Sequence, residues 1–227
     1  MLNFGKEKVL EHVIKRCLYF KLNPIICTSN DLSDLKLSRY STKYGIKIYR
    51  GSLNNKVLRW YNCCKKFNIN SFHTIDVDDP FFDPVSVKKS MQLLKKKIDL
   101  VKPSNRSGNG GASEGYSIKL NTLKKIIDNF FLDNENKNTE MFEKYLKMKN
   151  LKVLRLPNSS YETKKIFRLT LDYIEDYIFL NKLKSHFSFR SSRRLVNKFL
   201  DINLTLKKIN FFRNKEWKKK QKLIINS

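Results

Sequence analysis

Hydrophobic positions recur along the first half of the chain in two alternating patterns. Residues 6–22 carry apolar side chains at the three- and four-residue spacing of an amphipathic helix, and the apolar run from Pro24 to Thr28 predicts a buried strand. The alternation continues with predicted helices near 31–43, 54–67 and 85–97 and predicted strands at 46–49, 72–77 and 98–101. Short strands alternating with helices are typical of a doubly wound sheet. We therefore predict a Rossmann-like α/β fold with a mostly parallel sheet.

The second half of the chain follows the same alternation less regularly. Its pattern predicts strands at 116–120 and 151–156, helices at 122–131 and 140–149, and a mainly helical remainder from residue 171 onward. The glycine-rich segment from Ser104 to Ser113 predicts a loop beside a ligand or a tight turn. We divide the chain into an α/β domain over 1–185 and a basic helical extension over 186–227 that packs on it.

The basic tail from Lys207 to Lys222 combines lysines with scattered apolar side chains. This pattern predicts a helix in which Ile209, Phe212 and Trp217 pack on the domain or on a twin subunit, while the lysines stay hydrated. A homodimer is therefore left open.

Composition narrows the class of protein and its partners. A chain of 227 residues with 41% hydrophobic residues is long enough to bury one continuous core. The net charge of +26 is spread along the chain among many Asn, Ile and Phe residues, so we favour a compositional bias over a nucleic-acid surface. No apolar run approaches the roughly 20 residues of a membrane span, and no signal peptide is recognisable, so we expect a cytoplasmic protein.

Two acidic segments follow predicted strands. Asp76, Asp78 and Asp79 come after the strand at 72–77, and Asp172 comes after a short β-like run. Ligands bind at the carboxyl ends of strands in open α/β sheets, and Mg²⁺ prefers carboxylate oxygens together with water and phosphates. The alternative is that these aspartates cap the turns and helices that follow them, where aspartate is also favoured.

Several segments, taken together and in order, resemble the cytidylyltransferase family. They are Gly5-Lys6 with Leu10 to Arg16, then Arg50-Gly51-Ser52, Asp78 to Pro84, and Arg168 to Asp176. The last of these, R-L-T-L-D-Y-I-E-D, is the most specific. The most similar branch is named for spore-coat polysaccharide biosynthesis and is similar to the synthetases of CMP-activated acidic sugars.

The resemblance implies a function and a set of site residues. It implies transfer of CMP from CTP to an activated-sugar precursor with Mg²⁺, in which Asp78 and Asp172 bind the metal and serve catalysis. It also implies nucleotide or sugar contacts for Arg168 and, in the loop that resembles the family's substrate-side loop, for Gly110 and Glu114. Arg50 is a further candidate for a nucleotide or sugar contact. The alternative is that it is a solvated charge at the end of a strand.

The sequence also departs from the family pattern. The family's first strand and its triphosphate-binding loop have no counterpart before residue 6, which predicts a gap near the centre of the sheet and little turnover by the chain as given. Ala112 stands where the family has an aspartate. Two alternatives therefore stay open, a noncatalytic partner or regulatory subunit of a glycan pathway and a metal-dependent glycosyltransferase that uses the Asp76-Val77-Asp78 triplet.

Overall fold

The fold is a mixed α/β arrangement, taken from a computed structural model that describes residues 1–95, 97–107, 114–130, 137–148 and 150–226, with backbone alone at 221–226. Its α-helices are α1 (Val9–Tyr19), α2 (Ser38–Tyr44), α3 (Lys56–Lys66), α4 (Pro84–Leu94), α5 (Leu120–Phe130), α6 (Ile174–His186), α7 (Arg193–Ile202) and α8 (Arg213–Asn226). Its strands are β1 (Asn3–Phe4), β2 (Glu7–Lys8), β3 (Ile25–Ser29), β4 (Lys47–Gly51), β5 (Ser71–His73), β6 (Leu100–Lys102), β7 (Ser117–Lys119) and β8 (Val153–Arg155). Short 3₁₀ helices occupy Leu32–Leu37, Phe142–Leu146 and Leu204–Ile209.

The strands form two larger sheets. β3 and β4 pair in parallel, with Ile25 opposite Lys47 and Ser29 opposite Gly51. The second sheet has the order β5-β7-β6-β8, in which β6 and β8 are parallel and β7 is antiparallel to both of its neighbours. The sheet is therefore mixed, because β7 runs against the direction of the other strands.

Helix α1 joins the two sheets. Among the described strands, the β3–β4 pair shares no hydrogen-bonded partner with the four-stranded sheet. Leu10 and Ile14 of α1 pack beside Ile26 of β3, whereas Val13 and Cys17 pack beside Ile75, just beyond β5. Apolar burial on one helix thus holds both parts of the sheet together.

The amino-terminal helix is shorter than its apolar pattern predicts. Gly5, with φ +62°, lies between β1 and β2, which form a small antiparallel hairpin. The Lys8 backbone N–H then donates to Oε2 of Glu11 at 3.0 Å, which satisfies a donor at the start of α1. The predicted helix over 6–22 therefore begins at Val9, and it ends at Tyr19.

The helices after residue 186 contribute to the same core as the rest of the chain. Val196 and Leu200 of α7 are fully buried in one cluster with Phe4, Phe81 and Phe179. Ile209 packs against that cluster, and α8 forms where the sequence predicts a helix. Phe212 is 59% exposed, so the expectation that it packs is wrong for a single chain. The division at residue 185 stays a prediction.

No helix in the described ranges is both long enough and apolar enough to span a bilayer.

Candidate active site

Three carboxylates converge just beyond the carboxyl end of β5. One oxygen from each of Asp76, Asp78 and Asp79 lies within 4.8 Å of the others. A tight turn brings them together, since the Asp79 N–H donates to the Asp76 carbonyl at 3.2 Å and the Phe82 N–H to the Asp79 carbonyl at 2.9 Å. β5 ends at His73, and the rest of the predicted strand over 72–77 lies outside it and leads into this turn. Crowded hard oxygen ligands of this kind suit a divalent cation.

Asp172 lies near enough to this cluster to influence Asp78. Burial, together with the negative charges of Asp76 and Asp172, raises the pKa of Asp78 from its ordinary 3.8 to about 6. The two acidic motifs, distant in sequence, therefore act on one another in the folded chain. That they share one cation stays a prediction.

Other aspartates have the capping roles that the alternative assigned to Asp78 and Asp172. The Asp83 side chain caps α4 by accepting from the Val85 N–H. The Asp176 carboxylate accepts from the Asp172 and Tyr173 N–H groups at the start of α6. Caps explain the conformations of Asp83 and Asp176. The Asp172 carboxylate instead accepts from Nη2 of Arg168.

Arg168 fixes the position of Asp172. Its guanidinium is fully buried, and its Nε donates to Oδ1 of Asp176 at 2.8 Å while its Nη2 donates to Oδ2 of Asp172. Asn210 completes the network by donating to Oδ1 of Asp176 and to the Arg168 carbonyl, each at 2.9 Å. The described contacts of Arg168 are internal. Its influence on a ligand therefore passes through Asp172, and a direct contact with nucleotide or sugar stays a prediction.

Arg50 has a structural role at the end of β4. Its Nη2 donates to the carbonyls of Asn30 and Asp31 at 2.9 and 2.8 Å, and its Nε donates to the Ser29 carbonyl at 3.2 Å. These bonds hold the turn after β3 against β4. The predicted ligand contact of Arg50 is not tested by this geometry.

The predicted substrate-side loop is described in part. Gly110 lies outside the described residues, together with the rest of 108–113. Glu114 is described, and its Oε2 accepts from the Ser104 N–H at 2.6 Å. Burial raises the pKa of Glu114, and the neighbouring Glu162 raises it further. The acid that the sequence selects is thus held by backbone in a partly enclosed environment.

A close backbone approach fixes the loop to the strand that leads to Asp78. Gly115 has φ +64°, and a Cβ at this position would lie 1.9 Å from the Thr74 carbonyl oxygen. Thr74 and Tyr116 exchange hydrogen bonds at this point, at 2.8 and 2.9 Å. Any side chain at position 115 must therefore displace backbone.

We expect Gly115→Ala to reduce the free energy of unfolding by about 2–4 kcal/mol, because it combines an unfavourable φ with a backbone clash. Gly45→Ala is the matched control, since Gly45 has φ +61° with no atom within 4 Å of the added Cβ. It should lose only about 1 kcal/mol, the cost of the conformation alone. Urea denaturation of both variants measures the difference, and equal losses would contradict the clash.

A polar cleft lies beside Glu114. Its lining includes Glu114, Asp83, Tyr161, Arg106 and Arg193, which come from distant parts of the chain. Tyr161 donates to Oδ2 of Asp83 at 2.5 Å, and Arg193 donates to the Phe81 carbonyl at 2.9 Å. Sequence reasoning missed Arg106, Tyr161 and Arg193 because nothing in their local sequence marks them.

The raised pKa of Asp78 predicts a pH-dependent stability in the metal-free protein. Because the folded state binds this proton more tightly than the unfolded state, the free energy of unfolding should fall as pH rises from about 4 to about 6. Asp78→Asn should remove this contribution and be more stable than the wild type at pH 7 in chelator. Urea denaturation in chelator from pH 4.5 to 7.5 measures it, and parallel wild-type and variant curves would contradict it.

The sequence has a distant relative. An uncharacterized protein of Methanocaldococcus jannaschii is 27% identical over 216 residues, which cover 92% of this chain and 86% of that protein. No protein-family model matches the chain. The fold is therefore identified by comparison with solved structures.

Solved structures with a similar fold include a cytidylyltransferase. A cytidylyltransferase from Leptospira borgpetersenii serovar Hardjo-bovis aligns with a TM-score of 0.77 at 21% identity, covering 91% of this chain and 88% of that one. This chain has the nucleotide-diphospho-sugar transferase fold. A CMP:2-keto-3-deoxy-manno-octonic acid synthetase complexed with CTP aligns with a TM-score of 0.55 at 11% identity, covering 82% of this chain and 89% of that one. At these identities the likeness shows the fold alone.

Proposed function

We propose that this chain binds CTP with Mg²⁺ and transfers CMP to a sugar for surface-glycan synthesis. The observation that carries the proposal is the approach of Asp172 to the carboxylate cluster of Asp76, Asp78 and Asp79. The fold shared with a cytidylyltransferase and with a synthetase complexed with CTP supports the choice of nucleotide.

The residues present fit a magnesium ion. All the candidate ligands are carboxylate oxygens. Burial raises the pKa of Asp78, and the neighbouring negative charges contribute to the rise, as expected of charge that a cation would neutralise. Asp78 and Asp172 would hold the ion. When bound, it would neutralise charge on the phosphates of CTP.

The reaction is a displacement at the α-phosphorus of CTP. An oxygen of the acceptor forms a bond to that phosphorus while the bond to the bridging oxygen of pyrophosphate breaks, and the proton of an attacking hydroxyl passes to water. Such chemistry depends on positioning and charge neutralisation more than on covalent help. In this chain, Arg168 and Asp176 position Asp172, and the turn at 76–79 positions Asp78.

Binding and turnover are tested separately, because a chain that binds CTP need not transfer CMP. We expect CTP with Mg²⁺ to stabilise the protein against heat more than ATP, GTP, UTP or UDP-sugars do, since a ligand stabilises the state that binds it. Pyrophosphate release from CTP is then measured over a panel of sugars and sugar phosphates. CTP binding without release would favour the noncatalytic partner, and preferential stabilisation by UDP-sugars would favour a glycosyltransferase. Absence of CTP binding would refute the proposal.

A further inference from the structure

The polar cleft lies close to the chain segment that leads to the acidic cluster. Glu114, which lines the cleft, directly precedes Gly115, and the Gly115 backbone closely approaches the carbonyl of Thr74, two residues before Asp76. A molecule at the Glu114 end of the cleft would therefore lie near the acidic cluster. The chemistry of the cleft then bears on which acceptors can react.

Both arginines of the cleft are already engaged with the protein. Nε of Arg106 lies 3.1 Å from Oε2 of Glu162, and its Nη2 donates to the Thr163 carbonyl at 2.7 Å. Arg193 donates from Nε to Oδ1 of Asn197 at 2.8 Å, and from Nη1 to the Phe81 carbonyl. An anionic ligand would have to compete with these internal partners.

Carboxylates outnumber cations in the described lining. It includes two arginines, Arg106 and Arg193, and three acids, Asp83, Glu114 and Glu162. Burial raises the pKa of Glu114, and the negative charge of the nearby Glu162 adds to that effect. Another carboxylate here would face uncompensated repulsion in a partly desolvated site.

The free space in the cleft is small. It measures about 30 Å³, which is room for one or two water molecules. A space of this size suits one substituent of a sugar ring rather than the whole ring. Hydroxyl groups on Ser86, Ser159 and Tyr161 line the same cleft and can exchange hydrogen bonds with such a substituent.

We propose that this cleft selects acceptors that present an uncharged, hydroxyl-bearing substituent and disfavours those with a carboxylate at that position. The inference rests on the proposed function, because it assigns the cleft to the acceptor of cytidylyl transfer. It differs from the acidic-sugar acceptors that the family resemblance implies.

Matched sugars test the proposal. Binding of glucose 1-phosphate and glucuronic acid 1-phosphate, and of galactose 1-phosphate and galacturonic acid 1-phosphate, is measured by ligand-observed NMR with the full chain and no nucleotide. Each pair differs only in a hydroxymethyl group against a carboxylate. We expect the neutral member to bind about 10- to 100-fold more tightly. Nonspecific attraction to a chain of net charge +26 would give the opposite order.

Two variants that each remove one negative charge show whether the cleft causes the preference. Glu114→Gln should reduce the preference several-fold, because it removes one carboxylate of the cleft while keeping its shape. Asp128→Asn, on the exposed surface of α5, should leave the preference unchanged. Equal or tighter binding of the carboxylated sugars, no binding of either member at millimolar concentration, or equal effects of the two variants would overturn the proposal. Loss of CTP binding with the sugar preference intact would refute the proposed function alone.

Discussion

Asp78→Asn and Asp172→Asn should each weaken divalent-cation binding in the presence of CTP by at least about 10- to 100-fold. Substitution of groups that only support metal ligands commonly has an effect of this size, and a direct ligand should matter no less. Asparagine keeps the shape of each side chain and removes its charge. Where an acceptor reacts, pyrophosphate release should slow by on the order of 100- to 1,000-fold, since charge stabilisation at the transition state is lost.

Titration with Mn²⁺, followed by electron paramagnetic resonance, measures the affinity. Asp128→Asn is the control, because it makes the same chemical change on the exposed surface of α5. If Asp172→Asn bound Mn²⁺ as the wild type does while Asp78→Asn did not, the ion would belong to the cluster of Asp76, Asp78 and Asp79 alone. The pairing of the two motifs would then be wrong.

Arg168→Met should reduce the free energy of unfolding by about 3–5 kcal/mol. The substitution leaves Asp176, whose side chain is fully buried, without its cationic partner, and breaking a buried ion pair on one side leaves an uncompensated charge. Asp172 would also lose its ion pair with Nη2 of Arg168. Metal affinity should therefore fall together with stability.

Urea denaturation compares Arg168→Met with Arg168→Lys. Lysine keeps the charge but cannot bond Asp172 and Asp176 together in the fork geometry of a guanidinium, so an intermediate loss is expected. The double variant Arg168→Met with Asp176→Leu should recover much of the stability, since neither buried charge remains. A loss below about 1 kcal/mol for Arg168→Met would show that the network contributes little.

The sequence predicts the order of helices and strands well where the hydrophobic periodicity is strong. It predicts them less well where tertiary contacts determine the backbone conformation. The predicted helix at 140–149 is a 3₁₀ helix at Phe142–Leu146, whose buried Phe142 and Tyr145 have the three-residue spacing of that helix. The predicted helix at 31–43 is divided into a 3₁₀ helix and α2. The Asp31 side chain caps the 3₁₀ helix, and Arg50, from a distant strand, holds the carbonyls before it. Such contacts have no local signature.

In the segment from Arg168 to Asp176, the family resemblance selects Asp172 as a metal ligand, a role that stays a prediction. The resemblance does not predict that Asp176 turns inward to Arg168. The fold shows this contact, and it leaves Asp172 exposed and near Asp78. The polar cleft likewise combines Arg106, Tyr161 and Arg193 from separate segments, so no spacing rule could have found it.

The central claim is that Asp78 and Asp172 hold one divalent cation against the phosphates of CTP. A crystal structure of the chain with CTP and Mn²⁺, with data collected at the manganese absorption edge, tests it most directly. If the claim holds, an anomalous peak lies within about 2.0–2.3 Å of a carboxylate oxygen from each aspartate, which is the usual distance for a small divalent cation. The same peak is in contact with a phosphate oxygen of CTP. An ion bound elsewhere, or CTP bound with Asp172 far from the ion, would contradict it.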